Sequence, residues 1–89
     1  MTTMFVRHRV ADYAKWRQVY DNFGPSQQRL GVTAQAVYRA ADNPNDVTVT
    51  HDFAALEAAQ QFAASEDLHK AMSEAGIVAE PTIWFATKA

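Results

Sequence analysis

The stretch that decides the fold is Met4–Trp16, "MFVRHRVADYAKW". From Met4 to Val10 the residues alternate in character, the period-two pattern of a half-buried strand. Val6, His8 and Val10 fall on one face, and Phe5, Arg7 and Arg9 on the other. Asp12 is a good helix N-cap. Tyr13, Trp16, Tyr20 and Phe23 then recur three and four apart, which places them on one stripe of the helix that follows. A strand therefore passes directly into a helix with an aromatic face to bury.

Further along, Gly24-Pro25 interrupts this helix. Proline lacks an amide donor and disfavours helical geometry in the residue before it. A short helical piece is expected to resume as far as Leu30, with Gly31 as its cap. Thr33–Ala40 reads as a second strand. "ADNPND", Ala41–Asp46, is dense in turn formers and predicts a hairpin loop of about four to six residues. Val47–Phe53 is the third strand, with Val47, Val49, His51 and Phe53 on one face and Thr48 and Thr50 on the other. Ala54–Ala64 is rich in Ala and Gln and helical. Ser65 caps a further helix, Glu66–Ala75, whose apolar stripe is Leu68, Ala71, Met72 and Ala75; Gly76 closes it. Pro81 can open the last strand, Thr82–Thr87.

The order is β-α-β-β-α-β, with the second α in two pieces. Right-handed crossovers put both helical layers on one face of a four-stranded antiparallel sheet. The expectation is an α+β, ferredoxin-like domain spanning residues 1–89, with spatial strand order 4-1-3-2. The uncovered face would carry Phe5 and, depending on register, Val37 or Tyr38 and Ile83 or Trp84. Large apolar residues on a bare face mark an interface, and a homodimer with its sheets packed face to face is the simplest solution.

Composition narrows the function classes. The 89 residues suffice for one modest core. A formal charge of −2 gives no sign of a nucleic-acid or anionic-membrane partner. With no cysteine, disulfides, thiolate catalysis and Cys-type zinc sites are excluded. The N-terminus lacks an apolar signal region and the longest apolar run is "AGIVA", too short to span a membrane. A cytoplasmic protein is expected.

The candidate chemistry is a constellation. His8 and His51 share the faces of valines on strands that should be central neighbours. Were Val6 to pair near His51, the imidazoles would be about 5–8 Å apart, as direct or diagonal neighbours are. Tyr13, Trp16 and Tyr20 would roof them, making an apolar cavity with a few polar groups, the usual character of a small-molecule site. A histidine near its ordinary pKa can act as a general base. Tyr38 and Trp84 line either this cavity or the dimer interface. His69 lies beside the apolar stripe of the last helix. Core histidines under a structural aromatic stripe are the competing reading. No metal is expected, because no HxH, HExxH or facial-triad spacing occurs. No nucleophile elbow surrounds Ser26, Ser65 or Ser73, and the three glycines are too scattered for a phosphate loop.

"FVRHRVADYAKWRQVYD", "VYRAADNPNDVTV" and "FAASEDLHKAMSEAGIVAEPTIWF" together resemble the dimeric α/β-barrel superfamily. The likeness is to its small stand-alone members, related to antibiotic-biosynthesis monooxygenases. It covers nearly the whole chain, and the Gly24-Pro25 break departs from the uninterrupted first helix of that pattern. It implies a homodimer; the superfamily includes cofactor-free monooxygenases and haem-degrading enzymes, with His69 or His8 as the haem ligand by that analogy, and the expectation for this chain is an aromatic or polyketide-like ligand and no bound cofactor. On the reading of faces and spacing given above, His8 and His51 would be the catalytic pair, with Trp16, Tyr20, Tyr13, Tyr38, Trp84 and His69 as ligand contacts. It leaves the activity open among a cofactor-independent monooxygenase, a cyclase or isomerase, a non-catalytic binding module and a structural dimerisation domain, because function resides in the site.

Overall fold

The computed structural model describes all 89 residues. In chain order the elements are β1 (Thr2–Arg9), α1 (Tyr13–Asn22), α2 (Gly24–Arg29), β2 (Ala34–Ala40), β3 (Asn43–Phe53), α3 (Leu56–Ala63), α4 (Glu66–Glu74) and β4 (Thr82–Thr87). The strands form one antiparallel sheet in the order β2-β3-β1-β4, which is the expected 4-1-3-2 read from the other edge. The helices cover one face.

Local chemistry sets the boundaries. The Asp12 carboxylate accepts from the amides of Ala14 and Lys15 at 3.0 and 3.4 Å and starts α1. The chain turns at Gly24-Pro25, where proline sits at the opening of α2 and needs no amide partner. Gly31 adopts φ +99°, the left-handed conformation that ends α2. The Ser65 hydroxyl accepts from the Leu68 amide at 3.2 Å and caps α4.

The hairpin differs from the sequence expectation. Ala40 pairs with Asn43, so only Ala41 and Asp42 form the turn, and "NPND" belongs to an eleven-residue β3. Side chains and β1 hold this polar segment extended. Val10 donates its amide to the Asn45 carbonyl at 2.9 Å, Arg39 Nε donates to the Pro44 carbonyl at 2.9 Å, and Arg7 holds the Asp46 carboxylate through two bonds of 2.7 and 3.1 Å. The three-residue excess appears as a register shift between Arg39 and Ala40.

The core falls into two clusters. One gathers Met4, Val6, Phe53, Ala59, Phe62 and Leu68; the other gathers Val10, Trp16, Val47, Val49 and Ala75. Ile83 packs against the first and Val37 against the second, so both lie on the helix side. By strand alternation Trp84 and Tyr38 then take the opposite face. There the Trp84 ring stacks on Phe5 with centroids 5.2 Å apart, and Tyr38 is 59% exposed. No helix is long and apolar enough to cross a membrane.

Candidate functional site

A cavity of about 40 Å³ lies at the seam between the two core clusters. Its floor is Val6 and His8 from β1 and Val49 and His51 from β3. Trp16, Val19, Tyr20 and Phe23 of the first helical layer roof it, and Leu68, Ala71 and Met72 of α4 with Ala75 at its C-cap close one side. The remaining polar member is Gln27 of α2.

The register corrects the expected spacing of the histidines. Val6 pairs with Val49, His51 pairs with Met4, and His8 pairs with Val47. The two imidazoles are therefore four residues apart along the strands, roughly 13 Å at the backbone. They stand at opposite ends of the cavity and cannot share a proton directly. The aromatic roof bridges them: His8 to Trp16 is 5.7 Å between centroids, Trp16 to Tyr20 is 5.0 Å, and Tyr20 to His51 is 6.4 Å.

His8, His51 and Gln27 are 6%, 3% and 3% exposed. Both nitrogens of each imidazole and Nε2 of Gln27 are buried without a hydrogen-bond partner. An orphaned buried polar group costs about 1–3 kcal/mol, so five such nitrogens around one apolar cavity require a reason. Burial lowers the His51 pKa to about 4, with the nearby Asp52 charge opposing weakly. Burial lowers that of His8 as well, against an opposing pull from Asp46. Both imidazoles are neutral at pH 7, when each offers one donor and one acceptor. Burial raises the Tyr20 pKa, partly offset by Gln27 and Arg17 nearby. The Tyr20 hydroxyl donates to Gln35 Oε1 at the edge of β2.

The other aromatic and histidine candidates lie elsewhere. Tyr13 stacks beside Trp16, but its ring lies beneath the Arg39 guanidinium, 3.7 Å from the centroid, and does not line the cavity. Tyr38 and Trp84 are on the far side of the sheet, because their inward-facing neighbours Val37 and Ile83 take the helix side. His69 is exposed and borders a shallow surface groove with Met72, Ile77 and Ile83. It lies one residue past Leu68, about 100° around α4 from the inward stripe. No three His, Asp or Glu side chains cluster in a way that could hold a metal ion.

Sequence reasoning missed Gln27. The signal was present: Tyr13, Trp16, Tyr20, Phe23 and Gln27 continue the three-and-four spacing through the break. The break keeps the stripe directed at the cavity while reorienting the chain.

No protein-family model matches the chain, and no curated protein sequence matches it. Solved structures do. An antibiotic-biosynthesis-monooxygenase-like protein from Bordetella bronchiseptica superposes with TM-score 0.86 at 16% identity, covering 99% of this chain and 96% of that one. SnoaB from Streptomyces nogalater, a cofactor-independent oxygenase, superposes with TM-score 0.77 at 15% identity, covering 99% and 94%. A similar protein from Caulobacter crescentus gives 0.80 at 13% identity, covering 99% and 89%. At these identities the likeness speaks for the fold: this chain has the ferredoxin-like architecture of antibiotic-biosynthesis-monooxygenase-like proteins, over its full length.

Proposed function

We propose that this protein binds a small, flat, uncharged aromatic molecule in the cavity between the sheet and the helices, and transforms it without an organic cofactor. The observation that carries the reading is the convergence of His8, His51 and Gln27, all buried and unpartnered, on one cavity with apolar walls. A ligand supplying oxygen atoms satisfies them, and the stacked rings of Trp16 and Tyr20 provide a flat roof. Charged ligands fit poorly, since a buried charge without a partner is costly.

The two histidines suit different tasks. His51, with its pKa near 4, is a weak base and serves as a neutral hydrogen-bond partner. At the other end His8 also borders a polar groove with Asp46 and Glu80, which gives a proton taken from a ligand a way toward water. His8 is thus the base of the proposed mechanism. Removing a proton from an acidic O–H or C–H of an electron-rich ring leaves an anion paired with the protonated His8, and that anion can react with dioxygen directly or rearrange. The fold shared with the cofactor-independent oxygenase SnoaB supports the first outcome.

The cavity volume bears on size. Water-sized voids need roughly 10–15 Å³ each, so about 40 Å³ admits only a few waters. A ring enters if α1 and α4 part. Their seam is thin there: Val19, Phe23 and Ala71 line the cavity on one side and an outer groove on the other. The open sheet face with Phe5, Trp84 and Tyr38 belongs, in the same proposal, to a homodimer interface.

The test is a thermal-shift screen of single- and double-ring phenols, quinols and ketones, followed by oxygen uptake with each binder. Stabilisation by at least one quinol or phenol, with oxygen consumed and His8→Leu inactive, supports the reading. Binding without oxygen uptake or product reduces it to a binding module, and absence of binding by every compound ends it.

A further inference from the structure

The polar groups of the cavity are unevenly placed. At one end His8 faces the Trp16 ring. At the other, His51, Tyr20 and Gln27 come together, with the Tyr20 ring 6.4 Å from the His51 imidazole and Gln27 beside the tyrosine. Gln27 is the one buried residue of α2; Gln28 and Arg29 beside it are exposed. Its backbone is fixed on both sides: its amide donates to the Phe23 carbonyl at 3.0 Å, and its carbonyl accepts from Val32 at 3.0 Å. The side chain therefore projects from a rigid root into a space where its Nε2 finds no acceptor.

An amide nitrogen carries two donors and no acceptor. The group that completes it is an oxygen with free lone pairs. The Tyr20 hydroxyl donates to Gln35 and keeps acceptor lone pairs beside Gln27, so it can take one of the two amide N–H groups. Apart from Tyr20 and the two imidazoles the cavity is lined by side chains without an acceptor, so the second N–H is open to an oxygen of the ligand. Resting on the binding function proposed above, we propose that Gln27 determines specificity: its side-chain N–H donates to the carbonyl oxygen of an uncharged aromatic ketone or quinone-like ligand whose ring lies under Trp16 and Tyr20. A donor at His51 completes the pair around that oxygen. The Gly24-Pro25 break is then the device that brings an amide into an otherwise apolar helix layer.

The discriminating probes are acetophenone and α-methylstyrene, which share a shape and differ by C=O against C=CH₂. In calorimetric titrations the wild type should bind the ketone about tenfold more tightly, the ratio one unshared hydrogen bond supplies. Gln27→Met should bring the two within about threefold of each other by weakening the ketone alone. A second measurement needs no substitution: the Gln27 side-chain NH₂ resonances in a ¹H–¹⁵N spectrum should shift with acetophenone and stay in place with α-methylstyrene. Equal binding of the two probes by the wild type, a preference that survives in Gln27→Met, or unmoved NH₂ resonances in the ketone complex would overturn the role of Gln27 while leaving the cavity a binding site. Failure of the wild type to bind either probe would overturn the role of Gln27 toward aromatic ketones, while the cavity stands or falls as a binding site on the wider phenol, quinol and ketone screen.

Discussion

The two faces of β1 pose opposite problems. On the helix side, His8 is buried among apolar residues with neither nitrogen satisfied. On the other side, Phe5 stacks against Trp84, which is 41% exposed, with Tyr38 more exposed still. One face holds polar groups buried away from bulk water, and the other holds aromatic rings exposed to it. The same alternation produces both, since neighbouring residues on a strand point to opposite faces. The chemical character of each misfit indicates its remedy. Unsatisfied nitrogens in a small cavity call for a small molecule with oxygen atoms. A flat apolar patch calls for a surface of like shape, and a second sheet of the same kind supplies one.

The comparison breaks most sharply on the open face. Phe5→Asp places a carboxylate at the centre of the proposed interface, where the neighbouring cation on that face, Arg7, is already paired with Asp46. An unpaired buried charge costs about 3–5 kcal/mol, so dimer affinity should fall at least about a hundredfold. Sedimentation equilibrium at micromolar concentration should show a dimer for the wild type and a monomer for the variant. A wild type that sediments as a monomer throughout removes the interface from the argument. The cavity face should not notice the change, because Phe5 points away from it.

Acidification attacks the other face. His51 is held neutral in the fold, with its pKa lowered from 6.5 to about 4. The unfolded chain therefore binds a proton between those values and the folded one does not, so stability rises with pH there and is lost on acidification. The loss begins as pH falls through 6.5 and ends near 4. Between pH 6.5 and about 5, above the range where ordinary carboxylates titrate, His51 alone should remove about 2 kcal/mol. His8, also lowered, adds to this in the same direction. Urea titrations at successive pH values measure it. A flat stability from pH 7 to 5 means the imidazoles are better solvated than their burial indicates.

The open face and the helix stripe were legible in the sequence because alternation and three-and-four spacing are local properties. Phe5 against Val6, and Trp16 in step with Tyr20, need no knowledge of the partner strands. The choice between Val37 and Tyr38 and between Ile83 and Trp84 did need it, and only the pairing of Phe5 with Trp84 and of Tyr38 with Thr48 resolves it. The same dependence misplaced the histidines: a two-residue change in register separates a diagonal pair from one at opposite ends of a cavity. The hairpin was misread because "NPND" has the composition of a turn, while its extended form depends on Arg7 and Arg39, both distant in sequence. Gln27 was missed because a glutamine after Gly-Pro reads as a surface residue.

The smallest effect is also the most discriminating. A histidine that belongs to the core through a buried hydrogen bond loses about 1–3 kcal/mol when that bond is removed. His51 and His8 make no such bond. Replacing either by leucine removes two orphaned nitrogens and supplies an apolar side chain of similar size to a site with apolar neighbours, so stability at pH 7.5 should stay within about 1 kcal/mol of wild type or rise. His51→Leu should also flatten the acid-side loss, because the titrating group is gone, and His8→Leu should flatten it less. Ligand binding should move the other way, with His51→Leu weakening an oxygen-bearing aromatic about tenfold through loss of its neutral donor. Thermal melts beside titration of the best ligand from the screen separate the accounts. Variants that melt far below wild type while binding unchanged would make both histidines structural residues, and the two faces of β1 would then differ only in which of them is covered.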